Sequence, residues 1–221
     1  MLNLKTILCA TALGLPLLSS AAFAYTTATS WDVASEFSEQ SNPNGTVWSY
    51  GQAPVLNGVF SPLPTQLNSD AGNIQGWFDA TSGANIWHNM NEVDFINSVN
   101  IKVAPHGMSM HPAQNCEYAV TRFTAPVSGK YVVSGQFFGL DDNGSQTDTD
   151  VHVSAGTVLF NGVIKLSAGQ TNASFTSINV TLQAGATIDF SVGCGSDGAW
   201  SYDNTGINAV IELKKKTKKG R

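Results

Sequence analysis

The chain reads as an all-β protein: an antiparallel two-sheet sandwich, jelly-roll-like, with a long loop-rich N-terminal third. Three observations predict it. Beyond about residue 99, apolar and polar residues alternate in short runs broken by Gly, Asn and Asp, the mark of half-buried strands. Those runs recur at roughly ten-residue spacing, the rhythm of a sandwich or barrel. Helical periodicity is nearly absent, since residues 32–40 hold one short turn and nothing else invites a helix.

Taken in order, residues 40–98 hold Pro43, Pro54, Pro62 and Pro64 with Trp48, Trp77 and Trp87 in text rich in Asn, Gly and Ser. Such text predicts long ordered loops around a few strands. Strands are then expected near 99–104, 117–124, 130–139, 149–154, 157–160 and 163–167. Asn161-Gly162 is taken as a type I′ hairpin turn, because the pair readily supplies two positive-φ residues. Ile178-Asn-Val180-Thr-Leu182, Ile188-Asp-Phe190-Ser-Val192 and Ile207-Asn-Ala209-Val-Ile211-Glu-Leu213 each put their apolar residues on one face. Pro126-Val127-Ser128-Gly129 and Gln183-Ala184-Gly185 read as tight turns between strands. No interior linker divides this text, so residues 25–213 form one expected domain.

With 42% hydrophobic and 10% aromatic residues the chain is not a disordered one, and at 12% charged it carries about half the usual share. The acidic balance, with a pI near 5.2, excludes a basic nucleic-acid binder. All 16 acidic residues lie between Asp32 and Glu212, where only Lys102, Arg122, Lys130 and Lys165 oppose them. Six of the 11 basic residues crowd the last eight positions, so residues 214–221 read as a disordered basic tail able to contact anionic surfaces. At the other end, Lys5, the apolar run Ile7 to Leu18 and Ala22-Phe23-Ala24 predict a signal peptide over 1–24, cut after Ala24, and hence export. The apolar run is too short to span a bilayer. Export leaves Cys116 and Cys194, read as a disulfide worth about 4–5 kcal/mol by chain entropy, with two free buried thiols as the alternative.

Several phrases occur together: Asn42-Pro43-Asn44-Gly45-Thr46-Val47-Trp48-Ser49-Tyr50-Gly51, His111-Pro112-Ala113-Gln114-Asn115-Cys116-Glu117-Tyr118, Arg122-Phe123-Thr124-Ala125-Pro126-Val127-Ser128-Gly129, and Ser201-Tyr202-Asp203-Asn204-Thr205-Gly206. Over residues 31–213 this resembles a family of secreted bacterial β-sandwich domains, often found in proteins with an exosortase-type (PEP-CTERM) sorting tail. The resemblance implies a jelly-roll domain similar to carbohydrate-binding modules. Two departures stand out: Leu213 passes directly into lysine with no sorting segment, and Cys116 replaces the small residue usual in relatives. Envelope sorting is therefore not carried over.

Three constellations bear on chemistry. The first is Asp141, Asp142, Asp148 and Asp150, four carboxylates in ten residues with Asn, Ser and Thr oxygens, a supply suited to calcium; the alternative is a solvated acidic hairpin tip. The second is the aromatic set Trp48, Tyr50, Trp87, Trp200 and Tyr202 with Asp203 beside it, since flat rings meet the C–H faces of sugars and neighbouring polar groups bond hydroxyls. Trp48 and Tyr50 share strand parity, so core or platform applies to both. The third, His88, His106, Met108, Met110 and His111, contains soft copper-type ligands but lacks a standard pair spacing, and reads better as a polar loop. No G-x-S-x-G, H-E-x-x-H or P-loop occurs. The expectation is a non-enzymatic module whose partner is a glycan or cell-envelope polysaccharide. A structural or adhesive envelope protein and a polysaccharide-active enzyme remain the alternatives.

Overall fold

In a computed structural model, the described residues are 29–42, 46–69, 73–141 and 146–214. The expected signal segment, Pro43-Asn44-Gly45, Asp142 and the tail beyond Lys214 lie outside them. In chain order the strands begin β1 (Ser30–Asp32), β2 (Trp48–Ala53), β3 (Ser61–Pro62), β4 (Thr65–Ser69), β5 (Ile74–Phe78), β6 (Asn85–Asn89), β7 (Phe95–Ile96) and β8 (Lys102–Val103). They continue with β9 (Met108–His111), β10 (Tyr118–Thr124), β11 (Gly129–Gly139), β12 (Asp148–Ser154), β13 (Val158–Lys165), β14 (Asn172–Leu182), β15 (Thr187–Val192) and β16 (Thr205–Leu213).

Sheet 1 runs β14-β11-β16-β9-β6-β5-β4, with β1 against the second half of β16. Sheet 2 runs β13-β12-β15-β10-β2-β3. The two pack face to face, the arrangement the alternating text predicts. Among the described residues, no helix is long and apolar enough to cross a membrane.

The period-2 pattern of each strand delivers one side chain in two to the space between the sheets. Trp48, Tyr50, Phe123, Ile188 and Phe190 enter it from sheet 2, and Tyr131, Val133, Phe137, Ile207 and Ile211 from sheet 1, all but fully buried. Their rings interlock: Trp48 meets Phe123 edge-on at 5.3 Å, and Phe175 lies 6.1 Å from Phe190. Burying one such side chain contributes roughly 1.5–3 kcal/mol. The polar ends find partners, as buried aromatics with N–H or O–H groups require. Trp48 Nε1 donates to Glu36, and the Ser38 amide donates to the Tyr50 hydroxyl. On the other face of sheet 2, Arg122 grips Asp189 with two 2.7 Å bonds and lies 4.1 Å over the Phe60 ring.

Two sequence expectations change. The region 40–98 contributes six short strands to the architecture, with Pro54 and Pro64 just outside strands and Pro62 in the two-residue edge strand β3. Asn161-Gly162 makes no turn: it lies inside β13, with Asn161 opposite His152 and its Oδ1 2.6 Å from the His152 Nδ1. The reversal falls at Ala155–Thr157 instead, where Gly156 takes a φ of 73°. A side chain recruited by the neighbouring strand outweighs the local turn preference of its dipeptide.

A second apolar cluster sits on the outer face of sheet 1. Ile74, Trp87, Ile101, Val103 and Leu140 form it, with Leu67, Phe95 and Phe138 packed against them. The small β7–β8 hairpin folds over this end of the sheet and supplies Phe95, Ile101 and Val103. An arm on one side of an otherwise open sheet face makes a wall.

Candidate functional site

Parity places alternate residues of β4, β5, β6 and β9 on that outer face: Leu67 and Ser69, Ile74 and Phe78, Asn85 and Trp87, and His111. With Phe95, Asn97 and Ile101 of the hairpin arm, and Trp200 and Asn204 of the β15–β16 loop, they line an open groove of about 460 Å³. Trp87 forms part of the floor, nearly buried and edge-on to Phe95 at 5.8 Å. Trp200 is the exposed ring, 37% accessible, set edge-on to His111 with centroids 5.5 Å apart.

The polar groups of the groove have defined orientations. His111 Nδ1 lies 2.9 Å from the Pro112 carbonyl, which only accepts, so Nδ1 carries the proton and Nε2 remains an acceptor. Burial pushes the His111 pKa below its ordinary value, against the Pro112 bond and the nearby Asp141, and keeps the ring neutral at physiological pH. Asn97 Oδ1 accepts the amides of Val99 and Ile101, while its Nδ2 has no partner among the described residues. Asn85 Nδ2 donates to the Gly83 carbonyl, and its Oδ1 has no partner among the described residues. Asn204 is fixed at both ends, accepting from Ser109 and donating to Asp141. No described lining residue carries a formal charge.

The acidic segment turns out to hold the loop that bears Trp200. Asp141 accepts from the Asn204 amide at 2.8 Å. Asp148 accepts from Ser196 Oγ at 2.6 Å and is paired with Lys165. Asp150 accepts from the Gly195 amide at 2.8 Å and from Tyr118 and His152 at 2.7 Å each. Thr147 and Thr149 of the same segment donate to the Tyr202 carbonyl and to Asp203. The disulfide Cys116–Cys194, with Cα atoms 5.4 Å apart, pins the loop at its start. Gly195, with a φ of 59°, sits so close to the Asp148 backbone that a Cβ would strike it.

Each described carboxylate of the acidic set is engaged by protein donors, and among the described residues no three His, Cys, Asp or Glu side chains gather as a metal site. Asp142 lies outside the described residues. The His/Met set is divided by the sheet, since Met108 and Met110 are in the core whereas His111 faces the groove; His88 stacks on Phe37 at 5.3 Å and donates to the His106 carbonyl.

Of the expected binding residues, the structure brings Trp87 and Trp200 into one groove. Trp48 and Tyr50 are 1% and 0% exposed core residues and offer no platform, the inward choice applying to both as their shared parity requires. Tyr202 is exposed on the same loop as Trp200 but does not line the groove. Asp203 is fully buried beneath that loop; burial raises its pKa to about 8, and its Oδ2 has no hydrogen-bond partner among the described residues. Asn85, Asn97, Phe95 and His111 were not singled out by sequence reasoning for the site. The one signal that could have found Asn85 is its spacing of two from Trp87, which puts both on one face once a strand is placed there.

No protein-family model matches the chain, and no curated protein matches it. Among solved structures, the chain is similar to the CBM51 module from Clostridium perfringens GH95 in complex with methyl-galactose (15% identity, 68% of this chain, 94% of that chain, TM-score 0.34). It is also similar to the CBM51-2 and INT domains of Clostridium perfringens ZmpB in complex with GlcNAc (13% identity, 84% of this chain, TM-score 0.37), of which it spans 41%. A third is the C-terminal CBM6 of LamC, a laminarinase from Zobellia galactanivorans (18% identity, 56% of this chain, 90% of that chain, TM-score 0.27). These structural neighbours are carbohydrate-binding modules.

Proposed function

We propose that the protein is an exported, non-enzymatic module that binds carbohydrate at a cell surface or in an extracellular matrix, through the outer groove of sheet 1. The observation that carries this reading is Trp200, an exposed indole facing an uncharged groove whose free polar atoms are a neutral imidazole nitrogen and two amide groups. Apolar ring faces with a few fixed neutral donors and acceptors complement a pyranose, which has apolar C–H faces and a rim of hydroxyls. The groove offers no described carboxylate pair of the kind glycoside hydrolysis needs. Export rests on the signal-like residues 1–24, and the Cys116–Cys194 bridge is at home in an oxidising compartment.

A glycan array probed with the purified protein is expected to return neutral sugars. Trp200→Ala is expected to weaken that binding by about tenfold or more while leaving the melting temperature nearly unchanged, because an exposed ring contributes little to folding. An array without signal for the wild-type protein rejects the proposal and leaves the adhesive-scaffold alternative.

A further inference from the structure

The outer face of sheet 1 does not stop at the groove. Strand register carries it across the remaining strands. Trp87 lies opposite Ser109, Ser109 opposite Gly206, and Gly206 opposite Phe138, so one cross-strand row joins β6, β9, β16 and β11. Gly206 is what lets that row lie flat: a Cβ there would collide with the Phe138 ring, which occupies the space instead. The next outward row along β11 is Gln136, with Asn208 of β16 directly opposite on one side and Ser174 of β14 on the other.

Here the sheet opens into a second cleft, about 430 Å³, bordered by these three residues and by Ser134 and Thr176. The side chains of Gln136, Asn208, Ser174 and Thr176 have no hydrogen-bond partner among the described residues. Directly opposed positions lie about 5 Å apart, so an amide, a second amide and a hydroxyl stand abreast. The one charged residue at the rim, Asp32, is occupied in capping the Ala34 and Ser35 amides. Unpaired, neutral, two-way hydrogen-bonding groups in a row suit hydroxyl-bearing chains and have little to offer an ion or an apolar peptide face. From the Trp87 strand to the Gln136 strand is three strand spacings, roughly 14 Å, which is longer than a single sugar ring.

We infer that this cleft is a second subsite of the same face, so that the protein reads a stretch of neutral polysaccharide chain lying across the strands of sheet 1, with aromatic contact at the Trp200 end and hydrogen bonding at the Gln136 end. The inference rests on the proposed carbohydrate function and adds the form of the ligand. Its test is titration calorimetry with neutral cello-, xylo-, laminari- and chito-oligosaccharides, from disaccharide to hexasaccharide. For the series that binds, affinity is expected to rise by about tenfold or more with length. The double variant Gln136→Ala/Asn208→Ala, with its fold checked by circular dichroism, is expected to lose that rise yet keep the disaccharide affinity, whereas Trp200→Ala loses both. Affinity independent of length, or a double variant that binds the hexasaccharide as the wild type does, overturns the second subsite and leaves the first intact. Absence of binding to every member by the wild-type protein overturns both readings.

Discussion

Trp48 and Trp87 each sit in a short strand between an apolar and a polar neighbour, yet the first is sealed between the sheets and the second floors an open groove. Alternation dictates which residues share a face; it leaves open which face the partner sheet covers. That choice was made by Trp48 and Tyr50 together and by Ile86 and His88, whose inward turn sends Trp87 out. Two carboxyls show the same dependence on surroundings. Burial raises Asp203 to about 8, so in the folded state it stays protonated at pH values where an unfolded aspartate has long ionised. Stability from this group is complete below about pH 4 and is lost as pH rises toward 8. Asp150 runs the other way: burial opposes its ionisation, but the bonds from His152, Tyr118 and the Gly195 amide outweigh it and bring the carboxyl to about 2. Its contribution is present above about pH 4 and is lost as pH falls toward 2. Thermal melts from pH 2 to 9 are therefore expected to show Asp203→Asn gaining on the wild type as pH rises from about 4 toward 8, and Asp150→Asn losing most above about pH 4 with the deficit closing toward pH 2. Parallel curves for either variant reject the corresponding assignment.

At the scale of elements, the β15–β16 loop is held by a disulfide at Cys194 and by donors and acceptors from the 141–150 segment along its length. The sequence made that segment conspicuous by its charge, and the cysteine pair by its even number. It did not disclose that both serve the same loop, because their meeting depends on β12 lying beside β15. The sandwich, by contrast, was legible from local text, since the strands beyond residue 117 follow from alternation, except for the first half of β14 and the Asn161-Gly162 reversal. Replacing Cys116 and Cys194 with Ser is expected to destabilise the protein by about 2–5 kcal/mol, read from urea unfolding. Under conditions where the variant is still folded, sugar affinity is expected to drop as well, because Trp200 then sits on a loop anchored only by hydrogen bonds. Unchanged affinity in a folded variant shows that the bridge does not position the ring.

Across the whole molecule, charge and groove are kept apart. Asp141, Asp148 and Asp150 are spent on anchoring the loop, while no described residue that lines the groove carries a formal charge. The hairpin arm, strands β4, β5, β6 and β9 and the distant β15–β16 loop meet there, which is why local motifs marked its two tryptophans but not Asn85 and Asn97.

The tryptophans also divide by solvent contact. Trp31, Trp48, Trp77 and Trp87 are each less than a tenth exposed, and Trp200 alone is open at 37%. The protein thus carries its own optical probe. Acrylamide is expected to quench one accessible emitting class, which Trp200→Phe removes, and a saturating sugar is expected to shield it with a blue shift of the emission. Quenching that survives the substitution unchanged places the exposed indole elsewhere. Occupancy of the groove can in this way be followed by light alone, in the native chain and without a label.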